Sequence, residues 1–105
     1  MATFVAVAHF ELSMPWVSSL KEKRAVVVPI VEGLRRRYPL VVARVAGQDA
    51  HRWERLALVS VGTDPNALRG TVEAAERFVV ASGVELRWRS LDVEAWGDEP
   101  AAHER

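Results

Sequence analysis

The chain has no cysteine. That absence excludes disulfides, thiolate nucleophiles and cysteine metal sites together. Net charge is also missing: 14 Lys and Arg balance 14 Asp and Glu, which argues against a protein that coats nucleic acid wholesale. No apolar run approaches a membrane span. The opening residues "MATFVAVAHFEL" lack the basic flank and long apolar run of a signal peptide, so a cytoplasmic location is expected. His9, His51 and His103 do not have metal-ligand spacing, and Asp49 with His51 is a weak pair in a loop. Ser18 and Ser19 have no obvious base beside them. Neither a catalytic residue, a metal nor another cofactor is expected.

What is present points to one small folded domain. Half of the 105 residues are hydrophobic, enough for a core without metals or disulfides. Charge is unevenly distributed along the chain. Residues 1–53 carry eight Lys and Arg against four Asp and Glu, and residues 54–105 carry six against ten.

Residues 3–12 ("TFVAVAHFEL") have the β-branched and aromatic content of a strand. A loop containing Met14-Pro15 follows. Ser19 and Glu22 then form an S-x-x-E capping box, which predicts a helix start. Leu20, Val27, Val31, Leu34 and Tyr38 continue as an apolar stripe of helical period, and Pro39 marks the stop. Pro29 lies inside this helix, where it removes a hydrogen bond and crowds the carbonyl of Ala25, so a kink or break is expected. A strand over 25–31 fits "AVVVPIV" by propensity, but the capping box and the stripe outweigh it.

Residues 40–46 and 54–62 read as strands joined by the polar loop "GQDAHRW". Asp64-Pro65 opens a second helix with a cap and a proline at its first position. Leu68, Val72, Ala75 and Val79 form its stripe, and Gly83 ends it in the left-handed conformation. A last strand spans 84–95. Its apolar positions change phase near Arg89-Ser90, which predicts a bulge or bend there.

The order βαββαβ is that of a ferredoxin-like α+β domain over residues 1–96, with residues 97–105 as a tail expected to be mobile. Such a domain is a four-stranded antiparallel sheet with both helices on one face, and the first and third strands are expected in the middle. The uncovered face should then be polar. It is not. Val5 and Val7 oppose Phe4, Ala6, Ala8 and Phe10; Val41, Ala43 and Val45 oppose Leu40 and Val42; Ala57, Val59 and Val61 oppose Leu56 and Leu58. A bare patch of that extent exceeds what monomers usually expose. A homodimer through the open sheet face is therefore expected, with a long loop folded over the sheet as the alternative.

Several of these residues carry a resemblance. The run "SLKEKR" at 19–24, the strand "VVARV" at 41–45, Gln48-Asp49, and Trp53 and Arg55 ahead of "LALVSV" are similar to the YlxP-like family of small bacterial proteins. The resemblance spans nearly the whole chain to about residue 96. It implies a ferredoxin-like fold, no established enzymatic activity, and an association with ribosomal RNA suggested by neighbouring translation genes. Arg44 stands where the family's strand is expected to carry an acid, and the loop between Asp49 and Trp53 is longer than usual.

The "SLKEKR" run is also the leading site. Cations in a first helical turn oppose the helix dipole, at about 0.3–1 kcal/mol each. One reading has Glu22 and the capping box offset this while the lysines solvate. Another is a salt bridge within or between chains. The third is an anion or phosphate site made by the helix start with Ser19, Lys21, Lys23 and Arg24. Arg35, Arg36 and Arg37 form a secondary basic patch at the helix end, about 20 Å away at helical rise.

Two function classes follow. The first is a non-catalytic accessory protein that engages the ribosome or structured RNA through the basic helix start. The second is a regulatory homodimer that binds a small ligand or anion. An RNA-recognition motif shares the βαββαβ order, but "ERLALVSVG" supplies no aromatic for base stacking, so any RNA contact would be to phosphates. Acylphosphatases share the outline, but no glycine-rich phosphate loop precedes the first helix. No membrane partner is expected.

Overall fold

The structure, a computed structural model, describes residues 2–97. The expectation of a mobile tail falls on residues of which 98–105, including His103, lie outside that range. Six elements follow in the order β1 (Thr3–Ser13), α1 (Leu20–Arg37), β2 (Val41–Ala46), β3 (Trp53–Gly62), α2 (Pro65–Ala81) and β4 (Glu85–Trp96). The sheet is antiparallel in the order β2-β3-β1-β4, so the first and third strands are central. This is the ferredoxin-like α+β arrangement.

Strand alternation builds the core. Ala6, Ala8, Phe10 and Leu12 of β1 are fully buried beneath the helices, and Leu56 and Leu58 of β3 lie beside Phe10 and Ala8. From above, Val27, Ile30, Val31 and Leu34 of α1 and Leu68, Val72, Ala75 and Val79 of α2 close the layer. Full burial of one such side chain contributes about 1.5–3 kcal/mol.

α1 runs unbroken through Pro29. The strand alternative for 25–31 is excluded. Ala25 and Pro29 both lie on the exposed side, where the carbonyl left without its helical donor meets water rather than the core. The buried stripe also differs from the one read by spacing: Leu20 is exposed, while Lys23 and Ile30 are buried.

α2 has the expected ends. The Asp64 carboxylate accepts the Asn66 N–H at 2.9 Å, and Gly83 has φ 101°. The irregularity in β4 lies earlier than the side-chain pattern predicts. Glu11 pairs with Trp88 and Leu12 with Leu86, so Arg87 is the extra, bulged residue. Arg89 disturbed the pattern because it is a cation on the helix side, paired with Glu76 of α2 at 3.1 Å. Among the described residues, no helix is long and apolar enough to cross a membrane.

Candidate functional site

The start of α1 is capped from both directions. Ser19 Oγ accepts the Glu22 N–H at 3.0 Å, and Glu22 Oε1 accepts the Ser18 N–H at 2.8 Å and the Ser18 hydroxyl at 3.0 Å. The return bond therefore goes to Ser18 rather than Ser19. Those bonds, the backbone one foremost, hold the Glu22 carboxyl below its ordinary pKa.

The three cations of "SLKEKR" are not brought together. Lys21 and Arg24 are exposed and form no ion pair among the described residues. Lys23 turns inward and is only 1% exposed. Its ammonium donates to the carbonyls of Gly47, Ala50 (2.6 Å) and Trp53 (3.0 Å), with that of Gln48 at 3.4 Å, and sits 3.0 Å from Glu54 Oε1. An ammonium has three protons to give, so this one is already fully engaged. Lys23 is a clasp between α1 and the β2–β3 loop.

Glu54 completes the clasp from the start of β3. Its carboxylate also accepts Arg44 Nε and, at 2.9 Å, Arg44 Nη2. Burial alone pushes the Glu54 pKa up and is the largest single influence. The bonds from Arg44 and Lys23, with their charges, outweigh it and leave the group below its ordinary value. The same bond raises Arg44. Arg44 thus has a structural partner at the position where an acid was expected.

Gly47 is required where Lys23 meets the loop. It has φ 80°, and a Cβ there would lie 2.8 Å from the Trp53 ring. The loop in turn places a cation that sequence reasoning missed. Met14 N–H donates to the Arg52 carbonyl at 2.7 Å, and Arg52 Nε donates to the Val17 carbonyl at 3.2 Å. These bonds set Arg52 beside the approach to α1, the segment that carries Trp16, which is 51% exposed. No spacing rule links Arg52 to the helix start, because the link is a chain reversal stitched by backbone bonds. Asp49 and His51 are exposed in this loop. Among the described residues, no group of three or more His, Asp or Glu is placed to hold a metal.

The arginine run at the far end of α1 also divides. Arg35 donates to the Val42 carbonyl at 2.7 Å, Arg37 lies over the Phe78 ring at 4.7 Å, and Arg36 is exposed with no such contact among the described residues.

The open sheet face forms four rows across the strands. The first is Val61–Val5–Glu94, the second Val41–Val59–Val7–Asp92, the third Ala43–Ala57–His9–Ser90 and the fourth Ala46–Arg55–Glu11–Trp88. Val41 and Val61 are 71% and 64% exposed, so the apolar character inferred for this side is real, and no element among the described residues covers it. The fourth row is a polar cluster. Glu11 binds Arg55 at 2.7 Å and also Arg87 from the bulge; the Arg55 bond foremost, then the Arg87 bond, holds the Glu11 carboxyl below its ordinary pKa. The Arg55 guanidinium lies 4.8 Å from the centre of the Trp88 ring, and His9 Nδ1 is 3.3 Å from Ser90 Oγ.

Fold and site together define a ferredoxin-like α+β domain with an apolar open face and a loop clasped to its first helix by a buried ion pair. The chain belongs to the family described as protein of unknown function DUF503, whose model matches residues 5–92. No curated protein matches it. Among solved structures it is similar to a de novo designed protein, Foldit4, at 12% identity over 92% of this chain and 99% of that one, with a TM-score of 0.48. A likeness at that level carries no argument about either fold or function.

Proposed function

We propose that the chain is a non-catalytic cytoplasmic accessory protein, a homodimer through its open sheet face, that contacts the phosphates of ribosomal or other structured RNA with the start of α1. The YlxP-like resemblance of "SLKEKR" supports this reading. The observation that carries it is the fate of the three cations. Lys23 fixes the loop that holds Arg52, while Lys21, in the first turn where positive charge is unfavourable, and Arg24, just beyond that turn, stay exposed and form no ion pair among the described residues. A stability role accounts for Lys23 and leaves the other two without one. Trp16 adds an exposed aromatic on the same approach, suited to stacking on an unpaired base. Arg36 extends the positive surface at the other end of the helix.

Binding of this kind is salt-sensitive and poorly sequence-specific. The test is co-sedimentation with ribosomes across a salt series. Retention should fall with salt. Lys21→Ala/Arg24→Ala should weaken it and flatten the salt slope by about one for each phosphate no longer neutralised. Retention unchanged by that double substitution would exclude the helix start as the binding surface. The competing reading is a regulatory dimer whose helix start holds a metabolite phosphate; a thermal shift with phosphometabolites, together with no ribosome retention, would favour it.

A further inference from the structure

The homodimer reading above leaves open how two copies lie on one another, and the charges on the open face decide between the choices. An isologous face-to-face contact needs a two-fold axis in the plane between the sheets. If the axis ran along the strands, each row would meet itself. Asp92 would then lie over the partner's Val41, an acid brought out of water against an apolar group with nothing to pair it.

We infer that the axis instead crosses the strands between the second and third rows. The second row of one copy then faces the third of the other. Val41 and Val59 lie over the partner's Ala43 and the partner's Ala57, large side chains against small ones, as packing across a sheet interface requires. Asp92 meets the partner's Ser90 and the partner's His9. The first row faces the fourth: Val5 and Val61 lie over the partner's Glu11 and the partner's Arg55, which already pair with each other, and Glu94 reaches the partner's Arg87 above the Trp88 ring.

The charges on each copy support this arrangement. In the fourth row two guanidiniums share the single carboxylate of Glu11, and Arg87 remains 56% exposed. Asp92 and Glu94 at the other end of β4 form no ion pair among the described residues. The crosswise axis brings the surplus of one end to the surplus of the other, twice per dimer. Sheets pack about 10 Å apart, a gap that an Arg and a Glu span together. The rotation of roughly 30° between packed sheets moves edge residues by a few ångströms, within the reach of that pair.

The absence of cysteine makes the test direct. Full-length chains carrying Glu94→Cys and Arg87→Cys are mixed and treated with a bis-maleimide that spans about 10 Å, the distance between packed sheets, and each is also treated alone. The expected result is a covalent dimer in the mixture, with much less from either chain alone. In sedimentation, Glu94→Arg should weaken the dimer about tenfold or more, and adding Arg87→Glu on the same chain should restore it. Circular dichroism on each variant confirms that it is folded. A dimer abolished by Val59→Asp but indifferent to Glu94→Arg, and giving no more covalent dimer in the mixture than from either chain alone, would overturn the axis and leave the open face as the interface. A dimer indifferent to Val59→Asp as well, or a monomeric wild type, would overturn the homodimer reading together with the axis.

Discussion

Lys23 of α1 and Glu54 of β3 meet at 3.0 Å with side chains 1% and 0% exposed, a buried ion pair joining segments far apart in sequence. Around it, four backbone carbonyls and Arg44 satisfy the remaining protons and lone pairs. Such a pair is costly to break from one side, because the partner is left charged and buried.

Replacing Lys23 with Met should therefore cost about 3–5 kcal/mol of folding stability, measured by urea denaturation. Lys23→Met/Glu54→Leu should cost less than the sum of its two single changes, because neither partner is then stranded. A double-mutant cycle with no coupling would show that the pair is not a unit.

Stability should also fall with acid. Glu54 and Glu11 have folded-state pKa values below the ordinary value of 4.5. A carboxylate lowered on folding contributes its full stability above the ordinary value, and that contribution is lost as the pH falls through the lowered folded value. Urea midpoints should thus be flat around neutrality and drop below about pH 4.5, the ordinary carboxylate value. Glu54→Gln should reduce the slope of that drop; an unchanged slope would remove Glu54 from the acid response.

Much of this structure was legible from residues alone. Asp64, Pro65, the stripe Leu68–Val72–Ala75–Val79 and Gly83 specify α2 completely, since each acts through a local rule. The apolar open face was legible too, because strand alternation is local. The clasp is visible in the sequence only in outline. Lys23 lies four residues before Val27, on the buried stripe, and Glu54 shares the alternation of Leu56 and Leu58. Each charge on an apolar row looks like a solvated exception when taken alone. Only the pairing of α1 with β3 makes them partners, and pairing is a tertiary fact. Arg52 left no local signal at all.

Gly47→Ala should destabilise the fold by more than about 1 kcal/mol, since the left-handed backbone alone costs an L-residue about that much and its Cβ would press on Trp53. Gly83→Ala has open space around it and should lose only the backbone part. Equal losses in thermal denaturation would mean that the Trp53 ring yields.

Lys21→Ala/Arg24→Ala should behave in the opposite way. Lys21 lies in the first turn, where its removal relieves the dipole, and Arg24 lies just beyond it, so stability should hold or rise by a few tenths to about 1 kcal/mol. Ser19→Ala, which removes the cap, should lose about 1 kcal/mol. A large loss in the Lys21/Arg24 variant would assign those cations to the fold rather than to a partner.

The most direct measurement is sedimentation equilibrium of the full chain at micromolar concentrations, beside its Val59→Asp variant. Wild type should run as a dimer and the variant as a folded monomer, because the charge lands at the middle of the valine rows. Wild type running as a stable, soluble monomer would mean that those valines tolerate water after all, and nothing would then tie this sheet to a second copy.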